Sequence, residues 1–155
     1  MTRFATQVLP VLLLGTVLVG IGGAVAYSVA AATSTDDGPI DVVWDKAACA
    51  ACGMHVGEPA FAAQATTTDG RTHTFDDPGC VFLWIEEQRP QLRSVWFRHH
   101  DEPRWIARDR VGFVPADKTP MGFGLAAVDA TAPGAMDADE ARRRCVARTS
   151  GHGGK

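Results

Sequence analysis

The 155-residue sequence predicts an α+β fold for its larger part, preceded by an N-terminal transmembrane helix. Three observations carry that reading. Residues 8–32 hold no charged side chain. The pair Asp69-Gly70 lies between two β-leaning runs, a hairpin signal. The stretch "FDDPGCVFLWIEEQ" then offers a helix cap, a proline suited to the first helical position and a run of buried-type side chains.

Residues 8–32 as a helix would reach roughly 38 Å at ~1.5 Å per residue, against a bilayer core of ~30 Å. Arg3 is the only charge before the run and "TDDGP" follows it, which favours the N-terminus inside and the rest outside. A cleaved signal peptide is the competing reading, with "AAA" at residues 30–32 as its cleavage site, although its apolar core is usually only ~7–15 residues. Either way, residues 36–155 are expected on the extracytoplasmic side, periplasmic or at the outer face. No cysteine follows the run closely, so no lipoprotein attachment site is expected. The organisation expected is residues 1–35 as membrane anchor or signal segment, 36–148 as the folded domain and 149–155 as a disordered tail.

Within the domain, residues 40–44 are short, apolar and β-leaning. The cysteine segment that follows, with Gly53, Gly57 and Pro59, reads as a loop. Residues 60–67 and 71–75 form the arms of the hairpin. Asp76 or Asp77 caps the next helix, Pro78 opens it, residues 81–85 bury it and Pro90 stops it. Residues 94–100 alternate as a strand, which completes a β-β-α-β unit. Strands are then expected near 104–108, 111–114 and 121–130, with a helix over 136–147. A faint internal repeat relates "CGMHVGEPAFAAQAT" to "TPMGFGLAAVDAT", which puts Met54 and Met121 on corresponding loops.

With Arg3 set aside, the outer part is one charge more acidic than the chain's net −3. It has no basic block and no basic-aromatic interleaving, so no nucleic-acid partner is expected. The chemistry concentrates in "CAACGM", residues 49–54. A zinc ribbon needs a second Cys/His pair at similar spacing, and Cys80 and Cys145 stand alone. A thioredoxin-like dithiol would open a helix, whereas glycines follow here. A soft monovalent ion, Cu(I) above all, takes thiolate and thioether ligands. Cys52 and Met54 point the same way in an extended loop. Met121 sits in a second glycine-flanked loop, "PMGFG", and His55 adds a nitrogen. A few soft ligands in an open site suit transfer rather than permanent structure.

Together, "CAACGM", "FAAQATTTDG", "FDDPGCVFLW" and "PMGFG" resemble the NosL family, the copper-chaperone accessory proteins of nitrous oxide reductase, over roughly residues 45–130. The resemblance implies two ββαβ-type units in tandem, related to the organomercurial lyase core. It implies an extracytoplasmic, membrane-tethered carrier of Cu(I), not an enzyme, that delivers copper to nitrous oxide reductase or a related copper enzyme, with a membrane transporter complex as a further partner. The matching ligand positions are Cys52, Met54 and Met121, then Cys49. Many members carry a lipoprotein cysteine where this chain has an apolar run, which leaves the recipient open.

Two other functions remain open on the sequence: a thiol-disulfide oxidoreductase assisting copper-enzyme assembly, and an organomercurial-lyase-like enzyme using paired cysteines and an aspartate. Cys80 reads as a small core residue, with metal binding or a disulfide as its alternatives; Cys145 reads as structural, and a Cys80–Cys145 disulfide stays open. His73 reads as exposed. One of His99 and His100 is expected to face in. The four tryptophans read as core, and His152 falls in the tail.

Overall fold

The computed structural model describes residues 38–150. Strands β1 (Ala63–Thr67), β2 (Thr72–Phe75), β3 (Leu92–Arg98), β4 (Trp105–Ala107), β5 (Val111–Pro115) and β6 (Leu125–Asp129) alternate with helices α1 (Pro78–Gln88) and α2 (Ala138–Ser150). The first four strands make one antiparallel sheet in the order β2-β1-β3-β4, and β5 pairs with β6 in a second. The Asp-Gly hairpin forms as expected, with Gly70 at φ +85° and Thr66 opposite Thr72. Asp77 caps α1 through its side chain and Pro78 takes the first turn, where its missing N–H costs nothing.

The first half follows the expected β-β-α-β order. The second half differs. β4 joins the first sheet, and β5, β6 and α2 follow with no closing strand among the described residues. The strand expected over 121–130 begins only at Leu125, because Gly122 and Gly124 both sit at φ +71° and break the extended run. Residues 40–44 form no strand either. β1 already has β2 on one edge and β3 on the other. Ile40 instead donates its N–H to Gln64 Oε1, and its carbonyl accepts from Gln64 Nε2, both at 2.9 Å. The Gln64 amide, fully buried, thus stands in for a strand's peptide.

α1 lies against both sheets, and α2 packs on α1 and β5. Phe82 of α1, Phe97 of β3 and Phe113 of β5 meet with ring centroids 5.0–5.6 Å apart, two of the three pairs edge-to-face, and they join the two sheets into one core. Among the described residues Trp84 is the buried tryptophan, while Trp44, Trp96 and Trp105 are half-buried. His73 is not free in solvent; its ring lies 4.7 Å from that of Trp84. Among the described residues no helix is long and apolar enough to cross a membrane. The apolar run 8–32 lies outside them, as does His152.

Candidate metal centre

The cysteine loop is a miniature hairpin. Ala48 and His55 bridge at its base, and Cys49 N–H donates to the Met54 carbonyl at 2.7 Å. Gly53 N–H closes back on the Cys49 carbonyl at 2.9 Å, which requires a left-handed residue, and Gly53 has φ +76°. The loop then docks on the outer edge of β2, where Ala50 N–H donates to the Thr74 carbonyl at 2.9 Å. β2 runs directly into the cap of α1. A thiol three residues beyond that cap, Cys80, is therefore brought to the cysteine loop.

The outcome is a cluster of Cys49, Cys52 and Cys80, with all three sulfurs within 4.8 Å of one another. Among the described residues it is the group of three or more His, Cys, Asp and Glu side chains placed to hold a metal ion. Cys49 and Cys80 are buried and Cys52 is exposed. All three are free thiols, as is Cys145. The centre of a triangle with edges of 4.8 Å lies about 2.8 Å from each sulfur, close to a metal–thiolate bond of ~2.3 Å. A contraction of at most about half an ångström per thiol therefore closes the set on an ion.

The electrostatics favour one thiolate in the metal-free cluster. The Cys80 thiol donates to Cys49 Sγ, and the backbone N–H groups of Cys52, Asp76 and Ala51 also point at that sulfur. Together they hold Cys49 well below the usual thiol value, against the opposing effect of burial. The same hydrogen bond, with burial, pushes Cys80 far up. Burial raises Cys52 as well, partly offset by the Met54 N–H. Beside them Asp76 is raised by burial, although Gly57 N–H donates to its Oδ1 at 3.2 Å.

A cavity of about 410 Å³ opens beside the cluster. Cys52, Cys80 and Met121 all line it, with Phe123 and Leu83 supplying apolar wall. The second glycine-flanked loop thus arrives at the same site as the first. Met54 behaves differently: its backbone anchors the cysteine loop, but its side chain is 53% exposed and does not line the cavity. His55 is exposed at the loop base and stands outside the trio. Cys145 is buried on α2, apart from the cluster, and burial, with the nearby Asp77 carboxyl, pushes its thiol up to about 12. For Cys80, sequence reasoning favoured core packing over metal binding, whereas the structure places it in the cluster.

No family model matches the chain, and none of the curated proteins does. Among solved structures, the copper chaperone NosL from Shewanella denitrificans matches with a TM-score of 0.52 at 15% identity, over 70% of this chain and 87% of that one. At that identity the likeness is one of fold, and the fold of this chain is NosL-like.

Proposed function

We propose that the protein is an extracytoplasmic carrier of Cu(I), held at the membrane by its N-terminal segment, which hands the ion to a copper enzyme such as nitrous oxide reductase. The observation that carries this reading is a cluster of three thiols, two of which, Cys52 and Cys80, line one open cavity with Met121. Thiolate and thioether sulfur select a soft monovalent ion, and a methionine adds little to a zinc site. Cys49, Cys52 and Cys80 supply the thiols, and Met121 offers the thioether from the cavity wall. Met54 and His55 are exposed beside the cluster, where they can act as stations on the way to a partner. The NosL-like fold supports the reading, since the matched protein is itself a copper chaperone.

The cargo is bound by displacing thiol protons, and Cys49 is prepared for that by the donors around it. The ion leaves by exchange: a ligand of the partner enters through the cavity, and one cysteine lets go. Two rival readings share the thiols but differ in what they need. A thiol-disulfide oxidoreductase uses Cys49 and Cys52 alone. An organomercurial-lyase-like enzyme needs an acid beside its thiols, and Asp76 stands next to Cys49 with its carboxyl raised.

The test is a titration of the reduced full chain with Cu(I) against a competing chelator. The carrier reading expects one tightly held ion, weaker binding in Cys80→Ser and Met121→Leu, and transfer of the ion to an apo copper enzyme. Tight binding indifferent to both substitutions, or dithiol turnover that survives them, refutes it. Release of hydrocarbon from a methylmercury probe, lost in Asp76→Asn, selects the lyase reading.

A further inference from the structure

Met121 reaches the site from a loop, and three contacts from outside the loop fix it. Asp77, fully buried, uses both carboxyl oxygens: Oδ1 accepts the Gly79 N–H at 2.8 Å, and Oδ2 accepts the Met121 N–H at 3.1 Å. Phe123 packs over Gly79 so closely that a β-carbon there would sit 2.1 Å from its ring. Arg148 of α2 donates Nη1 to the carbonyls of Gly122 at 3.0 Å and Phe123 at 2.9 Å.

We infer that Asp77 is a positioning residue for the metal cargo: it registers the Met121 thioether against the Cys80 thiol. Capping a helix needs one oxygen, and a serine provides it as well as an aspartate. The second oxygen of Asp77 is therefore beyond what the cap requires, and it is bonded to the backbone of the residue whose side chain lines the cavity. One carboxyl group thereby holds both ends of a ligand pair, the helix start that carries Cys80 and the loop that carries Met121. Loss of the second bond frees the thioether without removing it. The consequence for copper rests on the carrier reading; the geometry does not.

Asp77→Ser keeps a cap for Gly79 and loses the bond to Met121. In the reduced full chain, Cu(I) affinity is expected to fall about ten- to a hundredfold, the range for groups that orient metal ligands. Met121→Leu should give the same loss, and the double variant should lose no more than either single one. X-ray absorption at copper should show the same sulfur scatterer missing in both. Undiminished affinity in Asp77→Ser, or losses that multiply in the double variant, overturns the inference. Amide exchange in the metal-free chain is the second measurement: protection at Met121 should be lost in Asp77→Ser while α1 stays protected. Should the serine variant unfold, Asp77→Asn replaces it, with a single carbonyl oxygen to share. Copper affinity and Met121 protection must then fall together or persist together; protection lost with affinity intact overturns the inference. A wild-type chain that takes up no Cu(I) refutes the carrier reading instead. The positioning role is then decided by exchange alone, and a Met121 amide equally fast in wild type and Asp77→Ser overturns it.

Discussion

Gly79→Ala is the smallest change that tests how the site is held together. A β-carbon at position 79 would lie 2.1, 2.3 and 2.6 Å from three ring atoms of Phe123, against an ordinary contact of 3.4 Å or more. The nearest ring atom must retreat by about 1.3 Å, the gap between 2.1 and 3.4 Å. Phe123 is partly buried against the core and its carbonyl is held by Arg148, so the ring cannot swing freely into solvent. Overpacking of this kind costs about 1–3 kcal/mol. The gain in helix propensity from Gly to Ala, up to about 1 kcal/mol in a helix interior, is smaller in the first turn and does not cancel it. We expect the urea midpoint to fall by the equivalent of about 1–2 kcal/mol. Cu(I) affinity should fall with it, because the loop that moves carries Met121. Phe123→Leu, which withdraws the ring, should restore both in the double variant, a coupling of the kind that neighbouring residues show. A Gly79→Ala chain as stable as wild type, with unchanged Cu(I) affinity, would refute the close seating of the Met121 loop on α1.

Four further outcomes follow from the same geometry. Cys80→Ser should weaken Cu(I) binding by an order of magnitude or more, while Cys145→Ser, outside the trio, should leave the copper competition curve unchanged. Cys49 has its folded-state value depressed below the 9.0 of an ordinary thiol, so its contribution to stability is complete above that pH and is lost as pH falls below it; Cys49→Ser should remove that part of the pH dependence of urea unfolding in the metal-free chain. Asp76 has the opposite sign: burial raises it, so its ionisation opposes folding, and Asp76→Asn, which keeps an oxygen for Gly57 N–H, should raise stability at neutral pH and leave it unchanged where the carboxyl is already protonated. Gly53→Ala meets nothing within 4 Å but inherits φ +76°, so it should cost about 1–2 kcal/mol through backbone strain alone, seen by thermal unfolding.

What the sequence disclosed was local. The Asp-Gly turn and the Asp-Asp-Pro cap each announce themselves within a few residues and appear where they were expected, and the glycine-flanked methionine loop forms at the cost of the first part of the strand expected over 121–130. The partner thiol does not announce itself. Cys80 lies within a run of apolar helix residues, where a cysteine usually packs as a small hydrophobe. It becomes a site residue only because the cysteine loop folds back onto the edge of β2, through the bond from Ala50 to Thr74. Nothing local specifies that edge docking. The same holds for residues 40–44: their composition suits a strand, but the sheet edges beside β1 are already filled, and Gln64 takes the backbone groups of Ile40 instead. β4 was visible as a strand but not as a member of the first sheet, since its pairing with β3 is a property of the fold.

On the carrier reading, the distribution of exposure across the candidate sulfur ligands bears on the direction of transfer. Cys49 and Cys80 are 2% exposed, Cys52 is exposed, and Met54 stands 53% exposed next to it. An ion held by the two buried thiols is less exposed to water, although Cys80 also lines the cavity. One held by Cys52 can be reached from outside. Trigonal exchange keeps two bonds while a third is swapped, so the ligand that a partner displaces first is the one it can touch, Cys52. The two buried thiols then let go last. On this geometry Cys52→Ser should slow transfer to an apo enzyme more than it weakens equilibrium binding, whereas Cys49→Ser should weaken binding at least as much as it changes transfer. Equal effects of the two substitutions on both measurements would mean that the three thiols are interchangeable, and that burial does not order the release.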